Sequence, residues 1–370
     1  MNEPIYREAA RIIGICNSCR YCEGYCAVFP AIERRIDFAR DDIDYLANLC
    51  HNCGACLPAC QYAPPHEFAV NVPLVLAQAR LESYQAYAWP RAFAALYQRQ
   101  SALMALLLAA SLALFFALGI AWRGDGFFHA HTGPGSFYAI FPHNFLVAVF
   151  GASFLFAVLA IAIAAGRFWR AIEPAGLPPA RGATAGAMRD TATLKYLDGG
   201  GDGCPEKTDA PTHARRIFHH LTFYGFLLCF ASTSVASLYH YGFNWPAPYS
   251  WTSIPVLLGT LGGIGLVIGP AGLLRLRTQR PAAFHDLSQT AFDAGFTWLL
   301  LITGATGLLL LALRDSVWMP ALLALHLGPV LALFLVLPYG KFVHGIYRAL
   351  ALIKYRREQA RPNLYEFKEG

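Results

Sequence analysis

Residues 101–122 (SALMALLLAASLALFFALGIAW) and 144–165 (NFLVAVFGASFLFAVLAIAIAA) contain no charged side chain. Each run is long enough as a helix to cross ~30 Å of hydrocarbon. There the backbone must satisfy its own N–H and C=O groups, which an unbroken helix does. Four more apolar stretches follow at 217–240, 253–274, 290–313 and 318–343. Composition agrees: 56% of the 370 residues are hydrophobic and 14% charged, against roughly a quarter charged in ordinary soluble domains. The chain is therefore expected to be mainly α, with six spans in a compact bundle resembling a cytochrome b membrane domain.

Lysine and arginine give the bundle a direction. Nine lie before residue 101, one in 123–143, eight in 166–216, none in 241–252, three in 275–289, one in 314–317 and seven from 341 onward. This alternation places the head, the 166–216 loop and the tail on the cytoplasmic side of the inner membrane. Both termini are then inside. The first sixteen residues carry Glu3 and Glu8 and no apolar core, unlike a secretion signal. The expected divisions are a cytoplasmic domain over 1–95, a membrane domain over 96–350 and a basic tail over 351–370. The basic residues flank apolar spans and form no single patch, which argues against nucleic-acid binding.

Eight of the ten cysteines precede residue 61, and in a reducing cytoplasm such clustering means metal. They form two copies of C-x2-C-x2-C-x3-C-x3-P: Cys16, Cys19, Cys22, Cys26 and Pro30, then Cys50, Cys53, Cys56, Cys60 and Pro64. Three thiolates at this spacing wrap one face of a cubane, while the fourth is carried to the other cluster. The expected sets for two [4Fe–4S] clusters are Cys16, Cys19, Cys22 and Cys60 for cluster I, and Cys26, Cys50, Cys53 and Cys56 for cluster II. Structural zinc, which favours two separated ligand pairs, suits the spacing poorly. Ala27 and Gln61 stand where proline commonly follows the fourth cysteine. His51 and His66 read as loop residues or hydrogen-bond donors beside a cluster. The head predicts a ferredoxin-like helical domain that moves single electrons.

Ionisable residues inside a membrane default to functional candidates. The third span opens with His219 and His220 and closes with His240, and the sixth carries His326, with His344 at its end. Antiparallel spans put His219 or His220 level with His344, and His240 level with His326. At 100° per residue His326 and His344 share a face, and His219 lies nearer the face of His240 than His220 does. Two histidines at each of two depths predict one or two b-type haems. His143, at the mouth of the second span, competes for the outer site. His129, His131, His213 and His285 read as surface residues.

Further residues carry quieter readings. The glycines of span four (259, 262, 263, 265, 269 and 272) read as helix packing or as room for a flat macrocycle. Asp293 reads as an acid at a helix N-terminus or as a proton relay beside a bound quinone. The 166–216 loop is either a docking surface for the head or a partner, or a linker. Cys204 and Cys229 read as a free thiol and an apolar filler.

The segments YCEGYCAVFPAIERR, LCHNCGACLPACQYAPPHEFAVNVP, FYGFLLCFASTSVASLYHY and LKYLDGGGDGC together resemble the tricarballylate utilisation protein B family, also called the citrate utilisation protein B family. The resemblance covers nearly the whole chain. It implies a membrane partner of a soluble flavin dehydrogenase that oxidises tricarballylate to cis-aconitate, with electrons passed on to the respiratory chain. A related architecture fused to a flavin domain occurs in a cobalamin-biosynthesis oxygenase, so the donor's substrate stays open among these and other organic-acid flavoenzymes.

The residues point the same way. No strand followed by G-x-G-x-x-G, nucleophile motif or pair of catalytic carboxylates occurs, so a separate electron donor is required; the resemblance implies a cytoplasmic flavoprotein dehydrogenase for it, with a membrane quinone as the expected acceptor. A redox sensor, the competing reading, lacks an output domain and leaves the buried histidines unexplained.

Overall fold

The structure, a computed structural model, describes residues 3–99, 103–173, 180–206, 211–281, 283, 286, 290–363 and 365. His285 and part of the inner loop lie outside them. Among the described residues the chain is helical apart from a two-residue antiparallel pairing of Cys204–Pro205 with Pro211–Thr212.

The head is built from α1 (Glu3–Cys19), α2 (Val28–Ile32), α3 (Arg40–Leu49) and α4 (Val72–Tyr87). Local chemistry sets their starts. Asp41 and Asp42 occupy the first turn of α3, where the helix dipole favours negative charge. Asn71 caps α4 by accepting from the Leu74 N–H, and Pro73 sits just inside the helix, where a missing N–H costs nothing. Ile12, Ile13, Leu46, Leu49 and Leu76 form the centre of this core.

After α5 (Arg91–Arg99) come α6 (Leu103–Arg123), the short α7 (Ser136–Ile140), α8 (His143–Ile172), α9 (Ala183–Ala192), α10 (Ala214–Phe243), α11 (Ile254–Gln279), α12 (Thr290–Ala312), α13 (Met319–Val336) and α14 (Val343–Gln359). Six of these, α6, α8, α10, α11, α12 and α13, are long and apolar enough to cross a membrane. Large apolar side chains on them, among them Leu106, Leu155, Leu238 and Leu261, face outward, as suits lipid.

The glycines of span four pack helices. A Cβ at Gly262 would stand 2.7 Å from the Cys229 N and Sγ atoms, and one at Gly265 would stand 2.8 Å from the Leu221 carbonyl. The backbones of α10 and α11 touch there, as small residues allow. No room is left for a macrocycle along that seam.

Two boundaries differ from expectation. The sixth span stops at Val336, where the ladder tightens: the Tyr339 N–H bonds the Val336 carbonyl three residues back at 3.0 Å, and Pro338 has no N–H to offer. His326 and His344 thus belong to different helices, and their eighteen-residue spacing does not fix a common face. The basic stretch from 351 is not a free tail. It continues α14, whose Tyr347, Ala351 and Leu352 are buried in the head core with Phe168 and Ile172 from the end of α8. Phe168 and Tyr347 stack at 4.6 Å. The Arg167 guanidinium donates to the Ala88 carbonyl at 2.8 Å, joining the second span to the end of the head.

Candidate functional site

The eight head cysteines line two cavities. One, with about 360 Å³ of empty space counting its open part, is lined by Cys16, Cys19, Cys22 and Cys60 with Ile15, Phe29 and Tyr62. The other, about 380 Å³, is lined by Cys26, Cys50, Cys53 and Cys56 with Tyr25, His51 and Tyr196. Each run thus contributes three sulfurs to its own cavity and one to the other. Among the described residues no three His, Cys, Asp or Glu side chains close on a single metal ion. The thiols surround space, as a polynuclear cluster requires and a lone zinc does not.

The loops that present them are turned by local geometry. Asn52 and Gly54 take φ of +53° and +90°, which Gly adopts without strain and Asn tolerates. The Asn52 N–H points at the Cys50 sulfur at 3.3 Å, and the Gln61 amide approaches the Cys19 sulfur at 3.9 Å. Burial and neighbouring thiols push Cys16 up to about 12 and Cys22 up to about 11. Thiolates persist in such surroundings when a bound cation compensates them.

The inner loop is part of this site. Tyr196 lines the second cavity, and a Cβ at Gly200 (φ +87°) would stand 3.3 Å from the Gly24 carbonyl and the Tyr25 Cα. Only glycine lets that turn lie on the first cysteine loop. Leu194, Leu197 and Cys204 form a small buried cluster against Cys53. The Cys204 thiol donates to the Leu197 carbonyl at 3.9 Å and lies against Cys53, a neighbour that lowers the pKa of Cys53 and raises that of Cys204. Sequence reasoning left Cys204 without a partner because the partner lies about 150 residues away; the run GGGDGC was the only signal.

Arginines missed in the sequence converge on the same loop. Arg80 donates to the Ala47 and Cys50 carbonyls at 2.7 Å each, Arg348 to the Cys50 carbonyl at 2.9 Å, and Arg280 to the Asn52 carbonyl at 2.8 Å. Arg215 is neutralised by Glu206 in a two-bond pair at 2.5 and 2.6 Å.

The histidines are grouped differently from the expectation in one respect. His219 and His344 come together, ring centroids 5.9 Å apart and planes at 80°. Nδ1 of His344 bonds the Lys341 carbonyl, which orients the ring and leaves Nε2 free. Nδ1 of His219 is buried without a hydrogen-bond partner. Two imidazoles edge to face with spare nitrogens fit a flat metal-centred group between them. His220 instead lies against Tyr224 at 5.8 Å. His240 stacks on His143 at 3.9 Å and 19°, not on His326, whose Nδ1 is 3.1 Å from the Thr306 hydroxyl. The aromatic mouth around Tyr138 and Tyr241 holds the stacked pair. Parallel rings in contact leave no gap for an iron, so no outer haem is derived.

His51 lies between the two groups of residues. It follows Cys50 directly and lines the second cavity, its Nδ1 bonds the Leu49 carbonyl at 3.1 Å, and its Nε2 is buried without a partner. His66 packs with Tyr62 and Phe68, a loop role. Asp293 is a paired acid, 2.5 Å from Lys341 and 3.5 Å from Arg277.

Comparison with known proteins now decides the family. Residues 95–364 match the family described as "Citrate utilization protein B", and residues 9–87 match the "Citrate utilization protein B Fer4-like domain". The chain belongs to the citrate utilization protein B family. It is 55% identical to "Citrate utilization protein B" of Escherichia coli over 355 residues, covering 96% of this chain and 93% of that relative. No solved structure matches it. The two matched regions of the citrate utilization protein B family meet near residue 90, where the cysteine-bearing head gives way to the apolar helices.

Proposed function

We propose that this chain carries single electrons from the reduced flavin of a cytoplasmic dehydrogenase into the membrane, ending at a quinone. The observation that carries the reading is the four-and-four division of the eight thiols around two cavities. Cys16, Cys19, Cys22 and Cys60 would hold one [4Fe–4S] cluster, and Cys26, Cys50, Cys53 and Cys56 the other. His219 and His344 would hold a b-type haem. These groups supply one-electron chemistry, and the protein supplies their spacing, burial and surrounding dipoles.

The chain's own residues do the rest. The Asn52 N–H hydrogen-bonds the Cys50 sulfur, Cys204 packs against Cys53, and the Gly200 turn covers the first cysteine loop. The Lys341 carbonyl fixes the His344 tautomer. The head sits at the inner face with both termini cytoplasmic, as the lysine and arginine counts require. The names of the family and of its relative support a role in the utilisation of an organic acid; tricarballylate as the substrate of the partner flavoenzyme follows the sequence resemblance.

The test is an anaerobic preparation of the full chain, with counts of iron, acid-labile sulfide and haem and an EPR spectrum after reduction. The reading requires about eight irons in cubane clusters per chain, one protohaem, and reduction by tricarballylate in membranes containing the partner. A colourless, iron-free yet active protein would sink it.

A further inference from the structure

We infer that Arg80 and Arg348 hold the centre at Cys26, Cys50, Cys53 and Cys56 at a higher reduction potential than the centre at Cys16, Cys19, Cys22 and Cys60. Electrons are thereby drawn toward the membrane and do not pool in the head. The inference rests on the reading above and assigns a role to residues outside the cysteine sets.

The two surroundings differ in charge. Neither cavity has an arginine or lysine in its wall, and at the first, Arg20 turns its guanidinium to the Asn17 carbonyl at 3.1 Å. At the second, Arg80 and Arg348 are 7% and 8% exposed and both donate to the carbonyl of the ligand residue Cys50. Among the described residues neither has a carboxylate at ion-pair distance, and Nε of Arg348 is buried without a partner. Two buried like charges without an acid are costly. An anion in the second cavity removes that cost, and a cubane held by four thiolates is anionic.

Reduction adds one negative charge to a cluster. A fixed cation in a poorly screened interior stabilises the added charge, and cluster potentials respond to local charge and hydrogen bonding. In the step concerned, the reduced first centre loses one electron and the oxidised second centre gains it. No bond breaks and no proton moves. The placement suits the direction, since His344 and Arg348 are four residues apart on α14, on one face of that helix. The arginines thus sit beside the second cavity on the side of the His219–His344 pair.

The test is a potentiometric titration of the full-length protein followed by EPR, with the two signals assigned by Cys60→Ser and Cys26→Ser. The wild type should show two midpoints, the higher one on the second centre. Arg80→Gln and Arg348→Gln should each lower that midpoint and leave the first unmoved, while Arg80→Lys and Arg348→Lys, which keep the charge, should restore most of the shift. A second centre at or below the first in the wild type would overturn the inference, and so would glutamine variants that move neither midpoint or both equally. Fewer than two clusters by iron and sulfide count would instead overturn the reading on which it rests.

Discussion

His219, from an apolar span, and His344, from the helix that closes the head core, present their rings to each other at 5.9 Å. A membrane residue and a head residue therefore build one site. His344→Ala is expected to abolish the b-type absorbance of the purified protein, as is His219→Ala. His220→Ala and His326→Ala should leave it in place, because these rings bond elsewhere. A reduced-minus-oxidised spectrum with a haem count checks this, and a full haem complement in His344→Ala would reject the pairing.

The crossing of the fourth cysteines predicts which centre each variant damages. Cys60→Ala should disturb the centre held by Cys16, Cys19 and Cys22, although Cys60 belongs to the second run. Cys26→Ala should disturb the centre held by Cys50, Cys53 and Cys56. EPR of the two variants, read beside Cys19→Ala and Cys53→Ala, decides between crossed and uncrossed sets.

Asp44 makes the head sensitive to pH away from the cysteines. Burial pushes its carboxyl up to about 6, against the hydrogen bonds from Tyr87 and Tyr6 at 2.7 and 2.8 Å. A raised carboxyl favours the folded state at low pH, and the benefit is lost as pH rises through the folded value. From pH 5 to 7.5 the wild type should lose on the order of 1 kcal/mol relative to Asp44→Asn. Chemical unfolding of both proteins at the two pH values measures the difference, and parallel curves would contradict it.

Glu358 ties the C-terminal helix to the head. Its carboxylate bonds Arg35 and accepts from the Tyr45 hydroxyl at 2.9 Å, and Arg35 also reaches Asp42 at 2.7 Å. Glu358→Ala leaves Arg35 with Asp42 as its carboxylate partner and the buried Tyr45 hydroxyl without its acceptor, a change that costs roughly 1–3 kcal/mol. Unfolding of the variant in detergent should show a loss of this size, whereas Glu8→Ala, in an exposed pair with Arg11, should cost under about 1 kcal/mol.

Spacing and periodicity made much of this molecule legible. The six spans followed from long apolar runs, and the grouping of the thiols from a repeat whose meaning is local. Depth put His219 or His220 level with His344, and the helical angle favoured His219. What escaped the sequence depends on contacts between distant segments. Cys204 meets Cys53 through a glycine turn, and Arg348 reaches Cys50 across nearly 300 residues. The expected match of His240 with His326 rested on a shared depth. His326 instead meets the Thr306 hydroxyl of α12, and His143 takes the place beside His240.

The burial of α14 in the head core also constrains how the protein is made. The cysteine loops leave the ribosome first, but the helix that completes their packing emerges last, after all six apolar helices. The iron-bearing fold therefore cannot close before the membrane part has been synthesised. A fragment ending near residue 95 would leave Tyr45, whose hydroxyl bonds Glu358 and whose ring lies under Lys354, without its cover, and so would be a poor stand-in for the native head.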